Sequence, residues 1–408
     1  LAGGRPLAIA NLEIDRFMEV TTALGFEFSD ALLLAASGRI KTAWPDSLVA
    51  RIGNARIGVC LPDVSTQREL QAALAIIRVA FDEALLLDRR RLVLNIRLGG
   101  ALAAPGTSAQ QTMREAEIAL HASAKNTERW SIFDEAMQQA LVASQEIEHE
   151  LRRLLVDGES SRRGGLSLAY QPIVTLADTG GRQLAGFEAL LRWNHPKRGS
   201  ISPATFVPIA EATGLIHRIG GFVLSEAIEA LARWRDAPSC RSDGLFMSVN
   251  VSLRQLATGD FPDQVATTLR QFDLDPRLLK LEITESTAMS DVDATLAQLD
   301  RLRGIGASLS IDDFGTGYSS LAYLHRLPVD TIKIDRAFVS QVHVRPTNAE
   351  IIKTITAMSR AIGFNVVAEG VECAEEESIL RAAGCNFGQG YLYGRGVPEA
   401  DVLPLLAH

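Results

Sequence analysis

The sequence predicts an α/β protein in two parts, an N-terminal α/β or α+β sandwich followed by a closed (β/α) barrel. Three observations carry this. The 408 residues exceed one ordinary domain. Strand-like and helix-like runs alternate along the whole chain. From Leu166 onward the alternation becomes regular, with about eight strand candidates, the number a closed barrel needs. The expected divisions are residues 1–133, a connecting helix and linker over 134–165, and the barrel over 166–408.

In the first part, residues 6–12 read as a strand. Residues 17–39 read as helix, interrupted at Gly25. Residues 48–61 contain a hairpin whose turn is Gly53-Asn54. A long apolar-periodic helix is expected over 70–87, a strand over 92–102 and a helix over 110–124. Residues 134–155 then form one amphipathic helix, with Met137, Leu141, Ser144, Ile147, Leu151, Leu154 and Leu155 near one stripe. The polar stretch 157–165 is the expected linker.

In the second part, strands are expected at 168–174, 184–191, 245–251, 279–284, 308–312, 331–334, 366–368 and 387–392. Helical patterns fill most gaps, at 203–212, 222–235, 261–272, 295–303 and 349–362.

Composition narrows the class. A hydrophobic fraction of 47% and a charged fraction of 22% describe an ordinary globular protein. A net charge of −8 argues against a partner that is a nucleic-acid polymer, though not against a small anion held by a few local cations. Cys60, Cys240, Cys373 and Cys385 are too scattered for a zinc knuckle or a disulfide scaffold, which points to a reducing cytoplasm. No apolar stretch is long enough to span a bilayer, and no signal peptide opens the chain. It starts at Leu1, not Met, the expected mark of a piece of a longer protein.

One stretch organises the second part, Ser310-Ile311-Asp312-Asp313-Phe314-Gly315-Thr316. An apolar strand ends in two adjacent carboxylates. Alone, such a pair reads as a polar turn. Packed together, the two repel unless protons or cations neutralise them. Other expected strands carry matching groups at or near their C-terminal ends: Glu188, Asn250, Glu282 with Glu285, Lys333, Glu369 and Gln389. In a (β/α) barrel such ends face the active site. Glu188, Asn250, Glu282, Asp312, Asp313 and Glu369 would form an oxygen-rich cage suited to Mg²⁺ or Mn²⁺. Two such ions suit in-line attack on a phosphodiester, with a lysine to orient water or stabilise charge. No histidine stands at these strand ends, which argues against zinc or non-haem iron.

These residues carry a family resemblance. Phe187-Glu188-Ala189-Leu190-Leu191-Arg192-Trp193 resembles the signature of EAL-domain cyclic-di-GMP phosphodiesterases. Tyr170-Gln171-Pro172-Ile173, Ser248-Val249-Asn250-Val251-Ser252, Leu281-Glu282-Ile283-Thr284-Glu285-Ser286, Asp312-Asp313-Phe314-Gly315-Thr316-Gly317-Tyr318-Ser319-Ser320, Ile332-Lys333-Ile334-Asp335, Ala368-Glu369-Gly370-Val371-Glu372 and Gln389-Gly390-Tyr391 follow in family order. The resemblance covers residues 166 to about 400.

It implies a modified TIM barrel that hydrolyses cyclic di-GMP to linear pGpG. Glu188, Asn250, Glu282 and Asp312 would hold one metal. Asp312 would bridge to a second, shared with Asp313 and, directly or through water, Glu369. Glu188, Asp313, Lys333 and Glu369 would be catalytic, with Lys333 positioning the water. Gln171, Arg192, Asp335 and Gln389 would contact substrate. Glu285 would anchor the loop 314–320, which couples dimer contacts to the metals. Mg²⁺ or Mn²⁺ is the implied cofactor and Ca²⁺ an inhibitor; a homodimer through the barrel is the implied assembly. Gly394-Arg395-Gly396 departs from the family, which usually has Pro after the Arg.

The first part resembles a GGDEF domain, the diguanylate cyclase fold, in degenerate form. Arg51-Ile52-Gly53-Asn54-Ala55-Arg56-Ile57 occupies the signature position, with Asn54 for the second glycine and Ala55 and Arg56 for the acidic pair. Glu13 stands where the family has another metal-binding Asp, and Thr21-Thr22 where it often has Asn-Asp. Asp15 and Asp30 keep the family's type. The product-inhibition motif would fall over 44–47 and is absent. The resemblance thus implies no cyclase activity, a regulatory or dimerising role, and at most weak GTP binding. A cyclic-di-GMP receptor that signals without turnover is the alternative for the whole chain.

Overall fold

The computed structural model describes residues 6–124, 126–156, 165–176, 182–235, 244–285, 292–315, 324 and 326–406. The chain divides into two compact units, Leu1–Glu146 and Ile147–His408. The division falls inside one helix, Glu135–Val156.

The first unit is built on a five-stranded sheet in the order β2-β3-β1-β6-β7. The strands are β1 (Leu7–Ile14), β2 (Leu48–Arg51), β3 (Arg56–Pro62), β6 (Ile96–Leu102) and β7 (Trp130–Ile132). A separate hairpin joins β4 (Leu85–Leu87) to β5 (Arg90–Leu92). Central β1 runs antiparallel to β3 and β6 and is buried along almost its whole length. β2 and β3 form the hairpin expected around Gly53-Asn54. The expected helix over 17–39 is two, Phe17–Leu24 and Phe26–Ala43, broken at Gly25, whose φ of 87° is open to glycine at little cost. Helix Gln67–Ala80 starts on a Thr66/Glu69 capping box. It stops well short of residue 87. The leucine run that suggested a longer helix belongs to the β4–β5 hairpin, turned by Asp88 and Arg89 at φ 46° and 64°. β6 starts at Ile96 rather than 92 for the same reason. Helix Ala109–Ser123 packs so close to β6 that a Cβ at Gly99 would fall 1.9 Å from the Leu120 amide nitrogen.

The second unit is a closed barrel. Its strands are β8 (Leu166–Thr175), β9 (Leu184–His195), β11 (Phe246–Asn250), β12 (Leu279–Thr284), β13 (Ser308–Phe314), β14 (Thr331–Ile334), β15 (Asn365–Ala368) and β16 (Phe387–Gln389), with a short β10 (Gly199–Ile201) hairpinned onto β9. β9 and β11 through β16 are parallel to one another. β8 closes the ring by running antiparallel to both β9 and β16. Each expected barrel strand is present. The last ends at Gln389, where the chain turns through Gly390.

The parallel strands are nearly continuous apolar runs because both faces are covered. Trp234 of helix Ile216–Arg235 meets Tyr170 and Phe187 edge-on, with centroids 4.7 and 5.2 Å away. Each such large side chain contributes about 1.5–3 kcal/mol by burial. Ile147, Leu151 and Leu154, from the stripe of the connecting helix, are buried in the same core. No helix among the described residues is long and apolar enough to cross a membrane.

Candidate active site

Charged side chains on strands β9, β12, β13 and β14, and Glu369 just beyond β15, converge at one end of the barrel. Lys333 of β14 lies at the centre, 1% exposed. Its Nζ is 2.7 Å from Glu282, 2.6 Å from Glu369, 3.2 Å from Asp312 and 3.5 Å from Glu188. Burial works against that charge, but the surrounding carboxylates outweigh it and hold the lysine pKa well above its ordinary value.

The carboxylates respond differently, and their neutral partners explain why. Glu188 is buried, yet Lys333 and amide hydrogen bonds outweigh burial and hold it below the usual range. Gln389 Nε2 donates to its Oε2 and Asn250 Nδ2 to its Oε1, each at 2.6 Å. Glu282 is nearer to the lysine but gains no such amides. Burial, with Glu188 and Asp312 close by, pushes it well above the usual range. Burial likewise lifts Glu369 to about 8, with Asp312 and Glu188 adding to it. Asp313 rises to about 6, from burial first and then from Asp312 and Asp335. The cage is therefore short of positive charge.

Backbone geometry brings Asp312 and Asp313 together. Neighbours on a regular strand point to opposite faces. Here the β13–β14 register shifts between Ile311 and Phe314, and Asp313 adopts φ 53° in the left-handed region, where Asp is among the tolerated residues. Carboxylate oxygens of Asp312, Asp313 and Glu369 consequently lie within 4.8 Å of one another. Asp312 Oδ1 is buried and makes no hydrogen bond despite its nearness to Lys333. An orphaned carboxylate oxygen beside two others, in an all-oxygen set, fits a hard divalent cation.

A cleft of about 280 Å³ opens over these groups. Gln171, Glu188, Asp312, Lys333, Glu369 and Gln389 line it, as do Leu190, Arg336, Glu372 and Tyr391, which sequence reasoning did not single out. Arg336 follows directly on the Lys333–Asp335 block, a signal that was available. Gln389 also donates to Gln171 Oε1 at 3.2 Å, and Gln171 donates to the Gly394 carbonyl at 3.3 Å.

Other expected residues stand elsewhere. Glu282, buried beside Lys333, and Asn250, exposed at the end of β11, are not among the cleft-lining residues. Arg192 is two pleats beyond Glu188 on β9 and is not among the cleft-lining residues; its guanidinium donates to the Leu191 carbonyl at 3.0 Å. Asp335 is not among them either. It caps helix Arg336–Val339, accepting from the Ala337 amide at 2.8 Å. Glu285 is buried and accepts from the Gly315 amide at 3.0 Å, while residues 316–320 of the loop it was expected to anchor lie outside the described residues.

In the first unit, Arg56 pairs with Glu13 at 3.2 Å and also with Glu117. Arg97 reaches Glu13 at 2.8 Å and Asp15 at 2.9 Å, and Arg129 also pairs with Asp15.

Comparison with known proteins gives two family matches. Residues 149–396 match the EAL domain and residues 2–130 match the diguanylate cyclase GGDEF domain. The cyclic di-GMP phosphodiesterase NbdA of Pseudomonas aeruginosa is 36% identical over 400 residues, 97% of this chain and 49% of NbdA. The bifunctional diguanylate cyclase/cyclic di-GMP phosphodiesterase MucR of the same organism is 35% identical over 406 residues, 99% of this chain and 57% of MucR. The chain thus spans about half the length of these curated relatives. A solved structure of PaMucR phosphodiesterase in complex with c-di-GMP is 43% identical, covering 63% of this chain and 99% of that one with a TM-score of 0.58.

Proposed function

The chain belongs to the EAL-domain family, with a GGDEF domain ahead of the EAL domain, and from that premise we propose that its barrel hydrolyses cyclic di-GMP to linear pGpG. The observation that carries this is the cage. Four carboxylates surround one lysine, a fifth, Asp313, stands beside Asp312, and Asp312 keeps a buried oxygen without a hydrogen bond.

Glu188, Asn250, Glu282 and Asp312 would hold one divalent ion, and Asp312, Asp313 and Glu369 a second. Bound there, Mg²⁺ or Mn²⁺ supplies Lewis acidity to the phosphodiester oxygens and to the attacking water. The chain's own residues do the positioning. Lys333, whose pKa the surrounding carboxylates raise, would act as a donor that orients water or a phosphoryl oxygen. Asn250 and Gln389 fix the two oxygens of Glu188. Gln389 Oε1 is buried without a partner and suits a donor on the substrate or its water. Water adds to phosphorus, one phosphorus–oxygen ester bond breaks, and the ring opens.

The GGDEF unit acts in this reading as a regulatory or dimerising module without cyclase activity. Arg56 stands at an acidic signature position and neutralises Glu13, a carboxylate that a metal would need. GTP binding there is at most weak. The active assembly is a homodimer through the EAL domain, which sedimentation of the chain tests, and its place is the cytoplasm. Ca²⁺ fills the cage but supports little turnover, because it tolerates loose, higher coordination.

The test is incubation with cyclic di-GMP and Mg²⁺ or Mn²⁺, with products separated by chromatography. Appearance of pGpG, lost in Glu188→Ala, is the expected result. Binding of cyclic di-GMP without turnover under every metal would make the chain a receptor instead. Unchanged turnover in Glu188→Ala would overturn the site.

A further inference from the structure

A second group of metal-ligating side chains stands apart from the carboxylate cage, and its chemistry is different. His343 belongs to the segment after helix Arg336–Val339, while Cys373, Glu375 and Glu376 open helix Ala374–Ala383. Ligand atoms of His343, Cys373 and Glu376 lie within 4.8 Å of one another.

The group is held in place from behind. Glu376 is 3% exposed, and its Oε1 accepts from the Gln341 amide at 2.8 Å. Its Oε2 accepts from the Glu372 and Cys373 amides at 2.8 and 3.3 Å. These bonds pin the segment carrying His343 to the helix carrying Cys373. Oε1 keeps a lone pair beyond the one Gln341 uses. Hydrogen bonds that orient a ligand from outside are what metal sites require.

We propose that His343, Cys373 and Glu376 form a site for a thiophilic divalent ion of the Zn²⁺ type. One thiolate, one imidazole and one carboxylate, drawn from two segments of the chain, are ligand types of four-coordinate zinc with water in the remaining position. Mg²⁺, which seeks oxygen and octahedral geometry, is a poor match. Binding breaks the Cys373 S–H bond, forms a sulfur–metal bond and releases the proton to buffer. The site uses none of the cage residues, so it stands independently of the hydrolysis reading. Its neighbour Glu372 pairs with Arg336 at 2.6 Å, and both line the cleft. An ion here would therefore tie down one wall of that cleft.

The experiment is titration of the full chain with Co²⁺ in excess Mg²⁺, followed by near-ultraviolet absorbance. A thiolate bound to Co²⁺ gives an intense charge-transfer band, which the all-oxygen cage cannot give. We expect the band to saturate at about one equivalent and to vanish on adding Zn²⁺. It should be unchanged in Cys60→Ser and Glu188→Ala and lost in Cys373→Ser, which keeps a capping hydroxyl. His343→Ala, at an exposed position, should lower the affinity by at least about tenfold. Absence of the band, its survival in Cys373→Ser, or undiminished affinity in His343→Ala would each overturn the site.

Discussion

Lys333 Nζ, on a side chain only 1% exposed, lies 2.6 Å from Glu369 Oε1, joining β14 to the residue just beyond β15. The same ammonium serves three further carboxylates. One cation is thus shared among more anions than it can neutralise.

Lys333→Met leaves buried carboxylates without their cation. In metal-free protein we expect a loss of about 3–5 kcal/mol in urea denaturation. Saturating Mg²⁺ should return most of it, since ligand binding to the native state stabilises by mass action. An equal loss with and without Mg²⁺ would mean that the lysine serves packing alone.

Gln389→Leu removes the amide that donates to Glu188 at 2.6 Å. Outer partners of this kind are worth about 10–100-fold in metal affinity or activity. The variant should need more Mg²⁺ for half-maximal turnover, with the far-ultraviolet dichroism unchanged. A change confined to the KM for cyclic di-GMP would place Gln389 at the substrate only.

The pH dependence of the metal-free protein follows from Glu369, lifted to about 8 mainly by burial, and Asp313, lifted to about 6 for the same first reason. Both folded-state values exceed the unfolded ones. Their stabilising contribution is therefore complete below the unfolded carboxylate range and is lost as pH rises through about 6 and then about 8. In chelator, the melting temperature should fall from pH 5 toward pH 8.5. Glu369→Gln should flatten the upper part of that fall. A wild-type melting temperature that rises over this range would contradict the charge distribution described here.

Arg56→Ala breaks ion pairs in which the arginine side chain is 42% exposed and Glu13 21% exposed. Such pairs contribute about 0–1 kcal/mol, so the first unit should lose no more than that. Calorimetry should detect weak or no GTP binding to the wild-type chain. Tight, Mg²⁺-dependent GTP binding would show that Glu13 and Asp15 are free to take a metal after all.

How far the sequence carried the reading depended on the distance over which each feature is set. Glu188 in Phe187-Glu188-Ala189 was legible because a charge inside an apolar strand needs a partner, and the same holds for Glu282 and Lys333. The hub position of Lys333 was not, because it depends on which strands neighbour β14, and pairing order leaves no local mark. Asp312-Asp313 was legible as a pair, whereas the left-handed turn that aims both is a backbone event with no residue signal beyond Asp itself. The helix expected to reach residue 87 failed for a local reason. Leucine runs suit helix and strand alike, and the turn at Asp88-Arg89 lacks the usual Asn-Gly or Asp-Gly signal. Arg336, Glu372 and Tyr391 escaped because a charged or aromatic side chain just past a strand looks the same whether it rims a cleft or faces water.

The reversed direction of β8 determines where the chain enters the barrel. In an all-parallel barrel the first strand begins at the floor, opposite the catalytic groups. Here Leu166 at the start of β8 pairs with Trp193 near the end of β9, beyond Glu188, and β8 then runs downward. Leu166, the first residue of β8, therefore stands at the rim that holds the chemistry, and a force applied to it acts at that edge. A barrel threaded from below would have to pass the same displacement through its whole height.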